Sequence, residues 1–336
     1  MRILTIGDPH IRTDNFREFD NFVEKLLELI CEKNPDIIVV LGDVLHTHER
    51  LHTLALNKAQ DFIKKLMSIT KTYVLVGNHD LASNQEFLST NHWMNSMKEW
   101  GKNLVIVDKV VYARECERDL MFCPYVPPGR FEEALDTCDY EWSDMDLIFA
   151  HQGFYGCKMG SIISEEGDKW ELTSPRVISG HIHSNQTIQE NVYYPGSAMQ
   201  NAFGESKKNI IACVELGEDG YELDEVDLGL PRKKIVYMNI ENIEDYENTE
   251  TGDKVKISLS GNYEEFKSLK KTSKYKKLVK SGVKIVFKNK KIDVKKEDVK
   301  KGEEKGEGDF SKILHELVEK EGDKYLKEIY CEVINV

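Results

Sequence analysis

Residues 37–46 read Ile-Ile-Val-Val-Leu-Gly-Asp-Val-Leu-His, an apolar run that stops abruptly at Gly42-Asp43. Four β-branched residues in succession, too short a run for a helix and bounded by glycine, predict a strand buried on both faces. The same design recurs on either side. Residues 3–6 run into Gly7-Asp8-Pro9-His10, and residues 73–76 run into Gly77-Asn78-His79-Asp80. Between the first two strands Phe16, Phe19, Phe22, Val23, Leu26, Leu27 and Ile30 follow helical spacing, and a second helical pattern covers 54–66. Strand, helix, strand, helix, strand predicts a parallel α/β sheet.

Later segments are shorter and more strand-like: 104–107, 120–122, 147–150, 177–179, 192–194 and 210–216. The expected fold is therefore α/β, a two-sheet sandwich flanked by helices, spanning residues 1–230. Gly229-Leu230-Pro231 marks its end, although residues 235–240 still read as a strand. Residues 231–252 read as a linker, acidic and polar from Glu241 onward. Residues 253–336 are expected to form a small C-terminal α+β capping domain. It holds a strand at 254–259, a helix at 264–280, a strand at 283–287 and a terminal helical pattern over 310–318.

Charge is unevenly placed along the 336 residues. The net value is -13, yet residues 251–300 carry +10, residues 301–336 carry -4, and 1–250 carry -19. That pattern suggests an acidic catalytic body, part of whose charge bound cations would offset, and a basic appendage. The seven cysteines form no CxxC pair, which argues against a zinc ribbon or a disulfide framework. No apolar run approaches the ~18–20 residues of a membrane span. The opening MRILTIGDPH lacks the basic region and cleavage site of a signal peptide. An intracellular protein, cytoplasmic or nuclear, with no membrane partner is expected.

The chemistry sits at the strand ends. Besides Asp8, His10, Asp43 and Asn78, the strand at 147–150 ends in His151-Gln152-Gly153, and that at 177–179 ends in Gly180-His181-Ile182-His183. Ligands of open α/β sheets bind beyond the carboxyl ends of the strands. Seven Asp, Asn and His side chains would thus meet at one rim. A mixed oxygen and imidazole shell suits Mn, Fe or Zn better than Mg or Ca. Seven ligands exceed the needs of one ion but suit two, which could clamp the attacking and leaving oxygens of a phosphoryl displacement. If the triplets Asp8-Pro9-His10 and His181-Ile182-His183 are extended, their outer residues point to one side. Glycines 7, 42, 77 and 180, each near a ligand, would permit close backbone approach.

The ordered set D-x-H, GD, GNHD, H and GHxH resembles the calcineurin-like metallophosphoesterase superfamily over roughly residues 1–230. The resemblance implies one metal held by Asp8, His10 and His183, a second held by Asn78, His151 and His181, and Asp43 bridging both. It implies two divalent ions, with Mn2+ the expected pair, and direct attack of activated water without a covalent intermediate. It gives His79 the role of stabilising the phosphate or protonating the leaving oxygen. Pro9, between two ligands, is tolerable because the ligands flank it.

Three features resemble the SbcD-like DNA-repair nuclease family within that superfamily. Gly42-Asp43-Val44-Leu45-His46 places a further histidine where that family has one beside the substrate phosphate. His151-Gln152-Gly153 matches its H-Q-G. Tyr194-Pro195-Gly196-Ser197 followed by Phe203-Gly204-Glu205 matches its YPGS…FGE. This implies a DNA exo/endonuclease with His79 and His46 at the catalytic centre. It also implies an SbcC-like coiled-coil ATPase as partner, docked on a C-terminal helix such as that of Ile313, Leu314, Leu317 and Val318. Dimerisation through the helix at 54–66 is a further expectation by analogy. Lys270, Lys271, Lys274, Lys276 and Lys277 would contact DNA phosphates without reading sequence. His48 and His52 read as helix-start or surface residues, although His48 could face the substrate. The competing readings are a phosphatase or phosphodiesterase for small esters or phosphoprotein, and a scaffold built on a degenerate phosphoesterase domain. The complete ligand set argues against the scaffold.

Overall fold

Residues 3–6, 37–41 and 73–76 are almost wholly apolar, and the side chains of successive residues leave a strand on opposite faces. Each strand therefore serves two cores. A computed structural model describes residues 1–289 apart from 49, 161, 218–219 and 248–251, together with Val318 and Tyr330. In it β1 (Arg2–Ile6), β2 (Ile37–Val40), β3 (Lys71–Leu75) and β4 (Leu104–Val107) pair in parallel. Helices α1 (Phe16–Lys33) and α2 (Thr53–Ile69) form the crossovers between the first three.

Leu4, Ile6, Ile38, Val40 and Val74 pack beneath the helices with Phe19, Phe22, Leu26, Phe62 and Leu66. The alternate set, Ile3, Ile37, Val39, Tyr73 and Leu75, faces a second sheet carrying Phe122, Phe149 and Ile178. Tyr73 stacks on Phe122 with ring centroids 4.0 Å apart. Each such fully buried large side chain contributes ~1.5–3 kcal/mol.

The second sheet collects β5 (Val111–Glu115), β6 (Arg118–Phe122), β7 (Leu147–Ala150), β10 (Val177–Ser179), β11 (Gln186–Gln189) and β12 (Val192–Tyr194) in the order β11-β12-β10-β7-β6-β5. Its outer face is covered by α3 (Phe131–Leu135) and by Phe154 and Trp170. The short hairpin β8 (Lys158–Met159) and β9 (Ile162–Ile163) stands apart. The first sheet is completed by the antiparallel strands β13 (Ile211–Gly217) and β14 (Gly220–Val226). The expected α/β two-sheet sandwich with flanking helices is the observed fold.

A third, parallel sheet of β15 (Lys233–Asn239), β16 (Lys254–Gly261) and β17 (Lys284–Asn289) carries α4 (Tyr263–Leu269) and α5 (Ser273–Lys280). It has its own core of Ile257, Leu259, Phe266, Leu278 and Val283. Two expectations are corrected here. The small sheet begins at Lys233, inside the stretch read as a linker, because β15 supplies one edge of that sheet. The helix expected over 264–280 is two helices. Thr272 breaks it by capping α5, its hydroxyl accepting from the Tyr275 N–H at 3.2 Å.

Residues 1–289 form one unit and 290–336 another. Of the proposed C-terminal docking face only Val318 is described, and it is helical and buried; Ile313, Leu314 and Leu317 lie outside the described residues. Among the described residues no helix is long and apolar enough to cross a membrane.

Candidate metal centre and its histidine rim

Strands β1, β2, β3, β7 and β10 all end at one edge of the sandwich, and the chain turns sharply after each. Asp8, His10, Asp43 and His181 adopt positive φ values of 37°, 46°, 51° and 73°. Such left-handed backbone at non-glycine residues is strained and clusters at functional sites. The triplets 8–10 and 181–183 are therefore not extended, contrary to the sequence expectation. Convergence arises because the loops coil back. Gly42, at φ 106°, and Gly77 leave no room for a Cβ beside His151 and Asp43.

All seven expected ligands are brought together. Asp8, His10 and His183 form one group whose ligand atoms lie within 4.8 Å of one another, and Asp43, His151 and His181 form a second. Asn78 Oδ1 joins the second, 3.1 Å from His151 Nε2 and 2.8 Å from His181 Nδ1. Asp43 stands between the groups, with Oδ2 3.6 Å from His10 Nε2 and Oδ1 3.4 Å from His151 Nε2.

The surroundings orient these donors. His151 donates from Nδ1 to the Leu41 carbonyl at 2.6 Å, which turns Nε2 inward. His183 donates from Nδ1 to Glu205 Oε1 at 3.2 Å, which leaves Nε2 2.8 Å from His10 Nε2. A second partner that fixes the tautomer and raises basicity is the usual support of a metal-ligating histidine. Asp8 Oδ2 is buried with no hydrogen-bond partner. The other oxygen, Oδ1, accepts from the His181 N–H at 2.9 Å, so Oδ2 among the ring nitrogens of His10 and His183 is left as the donor for a cation. The residues fit a pair of divalent ions.

Burial lowers His10 well below the usual histidine range, and burial with the neighbouring His151 lowers His181 to about 4. Both rings are thus neutral and able to ligate near neutral pH. For Asp43, burial works upward, but His151 and His10 outweigh it and hold the carboxyl well below the usual range. His151 is raised to about 9, because Asp43 and Asp8 outweigh the burial that opposes them. Near neutral pH His151 therefore carries a proton, which a cation drawn by the same carboxylates would displace on binding.

His46 and His79 lie on the open side. His10 and His46 approach through their Nδ1 atoms at 3.4 Å, and the His46 and His79 rings are parallel within 10° at 5.6 Å. His79 donates from Nδ1 to the His46 carbonyl at 2.7 Å, so Nε2 is its available atom. His48 stacks on His79 at 4.4 Å, so it belongs to this rim and is not a detached surface residue. His52 caps α2, accepting from the Leu54 N–H at 3.2 Å. Lys270, Lys271, Lys276 and Lys277 are exposed near and along α5, whereas half-buried Lys274 donates to the Glu244 carbonyl at 2.7 Å.

Three contributors were not assigned to the site from sequence. Asp80 accepts from the backbone N–H groups of Gly77, Val44 and Leu45 at 3.1–3.3 Å and from Trp93 Nε1 at 2.8 Å, tying two motif loops together. Glu205 orients His183, and Asn201 donates to the Asp8 carbonyl at 3.3 Å. The FGE run was the available signal for Glu205, and adjacency to Asn78-His79 was the signal for Asp80.

The profile of the calcineurin-like phosphoesterase family matches residues 1–185. This chain belongs to that family. It is 44% identical over 335 residues, 97% of its length and 94% of the other's, to "Putative phosphoesterase 078R" of Invertebrate iridescent virus 3. It is 46% identical over 277 residues, 80% of its length and 97% of the other's, to "Putative phosphoesterase 244L" of Invertebrate iridescent virus 6. Among solved structures it is similar to GAP50, the anchor in the inner membrane complex of Plasmodium. That match has 14% identity and a TM-score of 0.45, and covers 68% of this chain and 85% of the other. The chain is a metallophosphoesterase, a hydrolase whose family uses divalent metals.

Proposed function

We propose that this metallophosphoesterase is a nuclease that hydrolyses phosphodiester bonds in DNA. The observation that carries the reading is the placement of His46, between His10 and Arg12 and parallel to His79, where SbcD-like nucleases have a further histidine. The lysines at 270, 271, 276 and 277 supply a basic face suited to backbone phosphates.

Asp8, His10 and His183 would hold one ion, Asn78, His151 and His181 another, and Asp43 both. Mn2+ is the pair we propose. When bound, the ions lower the pKa of water and neutralise phosphoryl charge. The chain's own residues do the rest. His79, with Nδ1 committed to a carbonyl, hydrogen-bonds the phosphate through Nε2 or hands a proton to the leaving oxygen. His46 contacts the phosphate beside it. Partners consistent with this reading are DNA, an SbcC-like coiled-coil ATPase bound through the C-terminal segment, and a second copy docked along α2, where Leu54 is exposed.

The test is Mn-dependent digestion of end-labelled duplex and single-stranded DNA, with H79A as control. Digestion that vanishes in H79A supports the proposal. Rapid turnover of a small phosphate ester, with no cleavage of any DNA, would replace it with the small-ester reading.

A further inference from the structure

The loop after β1 departs from the ligand pattern at Arg12, two residues beyond His10. Its backbone is locked to the loop that carries Asp43 and His46. The His10 N–H donates to the Asp43 carbonyl at 3.0 Å, the Ile11 N–H to the Val44 carbonyl at 2.8 Å, and the His46 N–H to the Ile11 carbonyl at 3.3 Å. This short ladder holds Arg12 and His46 side by side at the open edge of the cluster.

The guanidinium is held on two sides. Nη2 donates to the Asn201 carbonyl at 2.6 Å, and Nε lies 2.7 Å from Asp14 Oδ1. Nη1 is turned toward His46, with only a long contact of 3.5 Å to its Nε2. Asp14 is 72% exposed against 26% for Arg12, so water screens the ion pair and leaves the guanidinium charge largely available. A planar guanidinium can keep its carbonyl partner while another edge receives an anion, which an ammonium does less well.

We propose that Arg12 anchors the substrate: Nη1 and His46 Nε2 together grip one non-bridging oxygen of the phosphodiester under attack. The assignment rests on the phosphodiesterase reading of this site and does not require the diester to be DNA. Arg12 thereby supplies permanent positive charge at the rim of the cluster.

The test uses the full chain loaded with Mn2+, with bis(p-nitrophenyl) phosphate as substrate and inorganic phosphate as competing anion. R12A and R12Q are expected to raise KM and the phosphate inhibition constant roughly 10- to 100-fold, with R12K recovering part of the loss. Metal content is expected to match the unsubstituted protein, with Tm lowered by no more than about 2–4 °C for the lost Asn201 contact. D14A, at an exposed position, is expected to lower the phosphate inhibition constant only about two- to fivefold, because the screened ion pair holds back a small part of the guanidinium charge. Unchanged KM and phosphate inhibition in R12A and R12Q would overturn the proposal, as would phosphate binding indifferent to D14A should the Arg12 variants not fold. Hydrolysis of the small diester with no attack on DNA would instead sink only the DNA assignment.

Discussion

Glu205 Oε1 stands 3.2 Å from His183 Nδ1, while its Oε2 accepts from the backbone N–H groups of Asn201 at 2.7 Å and Ala202 at 2.8 Å. The carboxylate is thus fixed by its own loop before it fixes the histidine. E205A should weaken Mn2+ binding by about 10- to 100-fold, the usual cost of losing such a partner. Calorimetric titration with Mn2+ checks this, and an unaltered isotherm would show that the ring needs no support.

His79 has one ring nitrogen occupied by a carbonyl and offers the other to the substrate. H79A should lower kcat on a phosphodiester by about 10²- to 10⁴-fold while metal stoichiometry stays constant. Steady-state kinetics beside metal analysis separates this outcome from a general loss of the site.

Lys233 links the small sheet to the catalytic rim. Its buried ammonium donates to the carbonyls of Gln200 at 2.6 Å and Asn201 at 3.0 Å and pairs with Glu18 at 3.1 Å. Lys254 also pairs with Glu18 but is half exposed. K233A removes charged hydrogen bonds from a buried position and should cost about 2 kcal/mol. Chemical denaturation measures the loss, and a change under about 0.5 kcal/mol, the scatter of ordinary surface substitutions, would contradict it.

Asp108 yields a pH prediction. Burial would raise its carboxyl, but hydrogen bonds from His92 and Lys98 outweigh burial and set it below the ordinary value of 3.8. A carboxyl lowered on folding stabilises the protein above its unfolded pKa, and that stabilisation fades as pH falls through the folded value. D108N should therefore destabilise the chain at about pH 7 and cost less at about pH 3. Equal losses in urea denaturation at both pH values would refute the assignment.

Much of this arrangement was legible in the sequence because the strands that deliver ligands are nearly pure apolar runs. Residues 37–41 could only be a buried strand, and the residues just after a buried parallel strand lie at the binding edge. Strands β5 and β14 were not foreseen, since both are half-buried edges without an apolar run. The left-handed backbone at Asp8, His10, Asp43 and His181 was hidden because no glycine marks those positions. Support from a distance was hidden as well. The Leu41 carbonyl under His151 and the Asn201 carbonyl under Arg12 are main-chain atoms, which residue type does not announce.

The most direct measurement is the metal content of the purified chain after saturation with Mn2+ and removal of free ion, taken with D43A alongside. Two ions per chain, falling to one or fewer in D43A, is the expected result, because Asp43 touches both ligand groups. A chain that retains no ion, or a D43A variant that still holds both, would contradict the account.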